Sequence, residues 1–138
     1  MKDSCRNGLE KTSRIMVEGW RVARHLGAGY GVYSTPAMVH DMETLCGALL
    51  MEHLDEGEHS VGTRVDIRHL AATPEGMWVN FTARVKAVDH RAVTFEIVAR
   101  DAIDEVGHCT HERFVVELTK IKERLAAKIA KGRNRSSG

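Results

Sequence analysis

Thr35-Pro36-Ala37-Met38-Val39-His40-Asp41-Met42-Glu43-Thr44-Leu45-Cys46-Gly47-Ala48-Leu49-Leu50-Met51-Glu52-His53-Leu54 decides the fold of this chain. Within it Met38, Met42, Leu45, Cys46, Leu49 and Leu50 fall at three- and four-residue steps. That is one apolar stripe on a helix of about four to five turns. The stripe is wide, so the helix is expected to be well buried. Thr35 before Pro36 reads as an N-cap followed by proline at the first helical position. Asp55-Glu56-Gly57-Glu58 ends the segment.

The period changes on the C-terminal side. Val61, Thr63, Val65 and Ile67 alternate with Gly62, Arg64, Asp66 and Arg68. Met77, Val79, Phe81, Ala83 and Val85 alternate with Trp78, Asn80, Thr82 and Arg84, and Val93, Phe95, Ile97 and Ala99 alternate with Thr94, Glu96 and Val98. Phe114, Val116 and Leu118 close the series. Turn residues at Thr73-Pro74-Glu75-Gly76, Asp89-His90 and Asp104-Glu105 separate these runs. Long strands with short connections predict an antiparallel meander of four.

On the N-terminal side, Ile15, Val17, Trp20 and Val22 predict one or two short strands over residues 13–24 that complete the sheet. His25-Leu26-Gly27-Ala28-Gly29-Tyr30-Gly31-Val32-Tyr33 has neither the strand–glycine–helix context nor the lysine of a phosphate cradle, so it reads as a flexible loop. Residues 119–131, rich in Lys, Ala and Leu, predict a terminal helix, and residues 132–138 a disordered polar tail. The layout is α+β in a single domain over residues 1–131. The sheet must curl around one central helix, leaving a face and an edge that invite a second subunit.

Bulk properties narrow the function. The chain has 20 basic and 19 acidic residues, which argues against nucleic acid or an anionic membrane as its main partner. No apolar run approaches the roughly 20 residues of a membrane helix. The charged start, Met1-Lys2-Asp3-Ser4-Cys5-Arg6, does not read as a signal peptide. Cys5, Cys46 and Cys109 are odd in number and widely spaced, which gives no disulfide framework and points to a reducing cytoplasm. His108 and His111 resemble a metal cluster, but residues three apart on a strand face opposite ways, so no metal is expected there.

A hydroxyl, a carboxylate and an imidazole are available in Thr35, Glu43 and His69. If they meet, they can activate a nucleophile against an acyl group. Thr35 lies at the positive end of the helix, where the N–H groups of Ala37 and Met38 could bind a developing oxyanion. Glu43 borders the apolar stripe. His69 shares a strand face with Val65 and Ile67 near a strand end. Arg113 shares a face with Cys109, His111 and Val115, and suits a phosphate or a carboxylate partner. Arg64 and Arg68 face away from His69.

Three blocks together extend this reading: Thr35…Glu43; Gly62-Thr63…His69 with Ala71-Ala72-Thr73-Pro74; and Asp104-Glu105-Val106-Gly107…Thr110-His111-Glu112-Arg113. From about Arg24 to about Leu118 the chain resembles the fluoroacetyl-CoA thioesterase family, which has the hot-dog fold. The resemblance implies hydrolysis of an acyl-CoA thioester without a cofactor. It implies catalytic roles for Thr35, Glu43 and His69, and substrate contacts for Gly62 and Arg113. It also implies a homodimer whose sheets join, with sites at the subunit interface. The stretch before Thr35 departs from the fluoroacetyl-specific member, which carries a phenylalanine-bearing lid there; here only Tyr30 and Tyr33 are aromatic. A different small acyl-CoA is therefore the expectation. Two other readings use the same fold: a non-catalytic module binding an acyl-CoA or small apolar ligand, and a hydratase or dehydratase. The second would need an Asp/His pair, for which Asp41, on the polar side of the helix, and Asp66 are the candidates.

Overall fold

A computed structural model describes residues 1–136. The elements in chain order are β1 (Glu10–Met16), a single 3-10 turn (Gly19–Arg21), β2 (Val22–Ala23), β3 (Val32–Tyr33), α1 (Thr35–Met51), β4 (Glu58–His69), β5 (Trp78–Asp89), β6 (Ala92–Arg100), β7 (Glu105–Glu117) and α2 (Leu118–Ser136). Five strands form one antiparallel sheet in the order β1-β5-β6-β7-β4, and β2 and β3 form a small separate hairpin.

The two sequence periods meet in one core. All six stripe residues of α1 are buried, joined by Ala37 and Asp41. The sheet offers every second residue to them: Val79, Phe81, Ala83 and Val85 from β5, and Val93, Phe95, Ile97 and Ala99 from β6. Each such side chain removes apolar surface from water, worth about 1.5–3 kcal/mol for the larger ones. Gly107 on β7 marks a close approach, because a Cβ there would lie 2.5 Å from Met38 Sδ.

Four expectations are corrected. The strands form a three-stranded meander, β5-β6-β7, and not one of four, since β4 crosses to the far edge and pairs with β7. Alternation identifies a strand but not its neighbour, and residues 70–77 form a connection too long for a tight hairpin. The N-cap is Ser34, whose Oγ accepts from the Ala37 N–H at 3.2 Å; Thr35 is already inside the helix. Asp41 is buried, not on a polar side. The segment from 132, read as a loose tail, continues α2 through Ser136, while Ser137 and Gly138 lie outside the described residues. Ala126, Ala127 and Ala130 with their Lys and Arg neighbours are strong helix formers, and helix propagates more easily than it starts.

Asp41 fastens the entry to α1. It accepts both Arg21 Nε at 2.9 Å and Arg21 Nη2 at 3.0 Å, and the Tyr33 hydroxyl donates to its Oδ2. The Ser34 N–H donates to the Arg21 carbonyl at 2.9 Å, so the chain on both sides of the hairpin is held together just before Thr35. Burial and the Asp41 carboxylate push the Tyr33 hydroxyl pKa up, so it stays a donor. Asp41→Ala leaves this guanidinium and hydroxyl without their acceptor. It is expected to lower stability by about 3 kcal/mol in urea unfolding; a loss below about 1 kcal/mol would show that the anchor is dispensable.

Candidate active site

Two groups of polar side chains line the flank of α1 that faces β4. At its N-terminus Thr35 Oγ1 lies 2.7 Å from His69 Nδ1, the last residue of β4. The His69 ring packs edge-on against Tyr33, with centroids 6.4 Å apart, and its Nε2 is buried with no hydrogen-bond partner. Burial pushes the imidazole pKa down, with the Ala71 backbone opposing, so His69 is neutral near pH 7 and can accept a proton. The pair opens onto a cavity of about 700 Å³ walled in part by Val32, Pro36, Leu70, Ala71 and Ala72.

The oxyanion donors expected at Ala37 and Met38 are occupied. The Ala37 N–H goes to Ser34 Oγ, and the Met38 N–H to the Ser34 carbonyl at 3.0 Å. Pro36 has no N–H. Of the first-turn donors, this leaves the Thr35 N–H beside its own hydroxyl.

Further along α1, Glu43 meets the second group. Its Oε2 lies 3.6 Å from Arg113 Nη1, and a Cβ on Gly62 would sit 2.6 Å from that same oxygen. Gly62 pairs directly with Arg113 across β4 and β7, beside a bulge in the register between Gly62 and Arg64. Arg113 is only 12% exposed, yet it is well supplied with acceptors. Its Nε donates to Ser60 Oγ at 2.9 Å, its Nη2 to the Ser60 carbonyl at 3.1 Å, and its Nη1 to His111 Nε2 at 3.2 Å. The Glu43 carboxylate is 40% exposed and can reach a ligand.

The two groups do not converge within one chain. Thr35 and Glu43 are separated by about 12 Å of helix rise. The cavity beside Thr35 and His69 is not lined by Glu43, Gly62 or Arg113.

Residues 17–119 match the family model described as fluoroacetyl-CoA-specific thioesterase. The chain belongs to that family. A fluoroacetyl-CoA thioesterase of Streptantibioticus cattleyicolor is 34% identical over 96% of this chain and 100% of its own length. A solved structure of the fluoroacetyl-CoA thioesterase FlK superposes with a TM-score of 0.82 at 34% identity, covering 91% of this chain and 98% of that one. A hypothetical protein of Thermus thermophilus, a thioesterase superfamily member, superposes with a TM-score of 0.85 at 26% identity, covering 94% and 96%. A hot-dog-like protein of Thermanaerovibrio acidaminovorans gives 0.81 at 26% identity, covering 88% and 91%. The α+β hot-dog architecture read from the sequence is therefore that of the thioesterase family to which the chain belongs.

Other candidates are used structurally in this family member. Asp41 is held by Arg21 and Tyr33, and Asp66 lies on the surface 3.7 Å from Arg64, so neither faces His69 as a hydratase would need. His108 is half-exposed near Glu96 while His111 is fully buried against Phe95. Burial pushes the Cys109 thiol up to about 11 and raises Cys46 as well, which leaves no ready thiolate. Ser60 and His111 are the residues that sequence reasoning missed as parts of a site. The signal for His111 was its place two residues before Arg113 on the same strand face. Gly62→Ala is expected to cost about 1–3 kcal/mol in urea unfolding and to turn the Glu43 carboxylate away from Arg113 in a crystal structure. An unmoved carboxylate in a fully stable variant would refute the steric role of Gly62.

Proposed function

We propose that this chain cleaves a small acyl-CoA thioester to free acid and CoA, with Thr35, Glu43 and His69 as its catalytic residues and a homodimer as its working unit. The observation that carries the reading is the 2.7 Å contact between Thr35 Oγ1 and His69 Nδ1 at an apolar cavity, in a chain of the thioesterase family. Neutral His69 takes the hydroxyl proton as Thr35 attacks the thioester carbonyl. The carbonyl oxygen becomes negative next to the Thr35 N–H and the positive end of α1. The C–S bond breaks, and the proton on His69 goes to the departing CoA sulfur. Glu43 then takes a proton from the water that attacks the Thr35 ester; the acyl C–O bond to Thr35 breaks, the free acid leaves, and that proton returns to the Thr35 oxygen. Gly62 leaves room for the Glu43 carboxylate, the Arg113 guanidinium lies against that carboxylate, and Gly62 and Arg113 both contact the substrate in this reading.

The separation of the two groups and the edge of the sheet support the homodimer reading. β4 pairs on one side only, and its Val61 and Val65 are exposed together with the neighbouring Leu70. An edge strand of this length, with unpaired backbone groups, is a template for a second strand. Pairing two β4 strands about a two-fold axis makes an isologous contact. In our reading it sets the Glu43 end of one subunit against the Thr35 and His69 end of the other. No helix among the described residues is long and apolar enough to cross a membrane. The three cysteines are free and buried, which suits the reducing cytoplasm we infer.

A panel of short acyl-CoAs, with thiol release followed, tests the chemistry. Glu43→Gln and His69→Ala are each expected to lower kcat by about 10²–10⁴-fold. Glu43→Gln alone should accumulate an acyl adduct on Thr35, read by mass spectrometry. Full activity in either variant sinks the assignment. Mixing the two variants should restore activity if each site draws on both subunits, and should restore none if it does not.

The pH profile follows from His69. Its pKa in the folded protein is depressed, so the neutral base persists below the ordinary imidazole value. The acid limb of kcat/KM should fall below about pH 6.5. A limb above that value would contradict a buried His69 base.

A further inference from the structure

We propose that His111 is a positioning residue that holds Arg113 against Glu43, and that it does so in a single protonation state. The hydrogen-bond partners force that state. His111 Nδ1 lies 2.7 Å from the Arg64 carbonyl oxygen, which can only accept, so Nδ1 carries the hydrogen. His111 Nε2 lies 3.2 Å from Arg113 Nη1, which can only donate, so Nε2 carries a lone pair. A second proton would set an N–H against an N–H beside a permanent cation. The ring is fully buried, stacked on Phe95 at 29°, and has no room to turn away.

His111 thereby couples two features of the acyl end of the site. Through Nδ1 it holds the backbone at Arg64, next to the bulge that follows Gly62. Through Nε2 it fixes the Nη1 edge of Arg113 that faces Glu43. A Cβ on Gly62 would lie 3.2 Å from His111 Cε1, so the ring is also part of the wall there. The charged groups around the ring are Glu43 on α1 and Arg113 and Glu112 on β7. β4 presents only the Arg64 carbonyl, because the Arg64 guanidinium turns out toward Asp66 and Glu112, and β6 presents only Phe95. Burial and Arg113 both oppose protonation of His111, so the neutral form extends below the ordinary imidazole range.

The consequence is a loss of ligand affinity in acid that is separate from the catalytic base. The inference rests on the acyl-CoA reading only for its ligand. The probe is S-acetonyl-CoA, a thioether with a carbonyl but no thioester to cleave. Its affinity is measured by calorimetry between pH 5 and 8. In the wild type it should weaken as pH falls below about 6.5, more steeply than in His111→Gln, whose amide oxygen can still accept from Arg113 but does not titrate. His111→Asn retains a donor for the Arg64 carbonyl but reaches Arg113 poorly, and should bind about tenfold more weakly at pH 7.5. Equal slopes in the wild type and His111→Gln overturn the proposal.

A ligand-free measurement separates this inference from the functional one. Long-range ¹⁵N–¹H NMR of the imidazoles reads the tautomer directly. A neutral Nδ1–H form at pH 7, whose titration moves the Arg113 Nε–H signal, upholds the positioning role even if the CoA analogue fails to bind at any pH. An Nε2–H or doubly protonated ring at pH 7 overturns it.

Discussion

A guanidinium taken out of water must be given acceptors, because an unpaired buried charge costs several kcal/mol. Arg113 is such a group, and much of the local structure answers that demand. Ser60 supplies its hydroxyl and carbonyl, His111 supplies a lone pair, and Glu43 supplies charge. Each acceptor imposes a condition of its own. His111 must be neutral and protonated at Nδ1, which ties it to the Arg64 carbonyl. Glu43 must approach β4 closely, which requires position 62 to lack a side chain. The α1 residue over the guanidinium is Gly47, where an added Cβ would touch Arg113 Cζ at 3.5 Å, ordinary contact rather than a clash. The glycine at 62 is thus dictated by its surroundings, whereas the one at 47 is merely compatible with them.

The helix sets the distance between the two groups proposed as catalytic. Thr35 stands at its first residue and Glu43 two turns on, so about 12 Å of rise separates the hydroxyl from the carboxylate. Its Thr35 end is held by contacts outside the proposed chemistry. Ser34 caps the helix, which frees the Thr35 hydroxyl for His69, and the Arg21–Asp41–Tyr33 cluster fixes the approach of the chain. A substrate carbonyl spans far less than that distance. The homodimer proposed above uses this fixed separation by bringing the start of one helix beside the middle of the other.

What could be read from the sequence divides along the same physical line. Repeating patterns were legible: the six apolar positions of α1 and the alternation along β5 and β6 are all buried as their periods require. The pairing of β4 with β7 was not, because alternation carries no information about which strand lies alongside. Thr35 was read as the cap because Thr precedes Pro, yet Ser34 is an equally good cap, and only its contact with the Ala37 N–H separates the two. Asp41 was misplaced because an aspartate is assigned to the solvent side unless its partners are visible, and those partners, Arg21 and Tyr33, come from outside the helix. The motif residues Gly62 and Arg113 were found by resemblance. The reason they belong together, a carboxylate set beside one guanidinium and the space that carboxylate needs, exists only in three dimensions.

The entrance to the cavity shows how far family membership constrains the acyl group. An aromatic lid discriminates only if its ring is held in place. Of the two tyrosines before Thr35, Tyr33 is buried with its hydroxyl on Asp41, so it supports the site rather than covering it. Tyr30 is 70% exposed, on a loop whose Gly27 and Gly29 both have positive φ. What is fixed nearby is the base of that loop, through β2 pairing with β3 and the two contacts of Arg24 with Glu75 at 3.0 and 2.8 Å. The standing walls of the cavity away from Thr35 and His69 are thus largely aliphatic, with Val32, Leu70, Ala71 and Ala72 beside His25 and Tyr33. Such walls distinguish one methylene from the next by only about 1–3 kcal/mol. They favour small apolar acyl groups as a class over a single member of it.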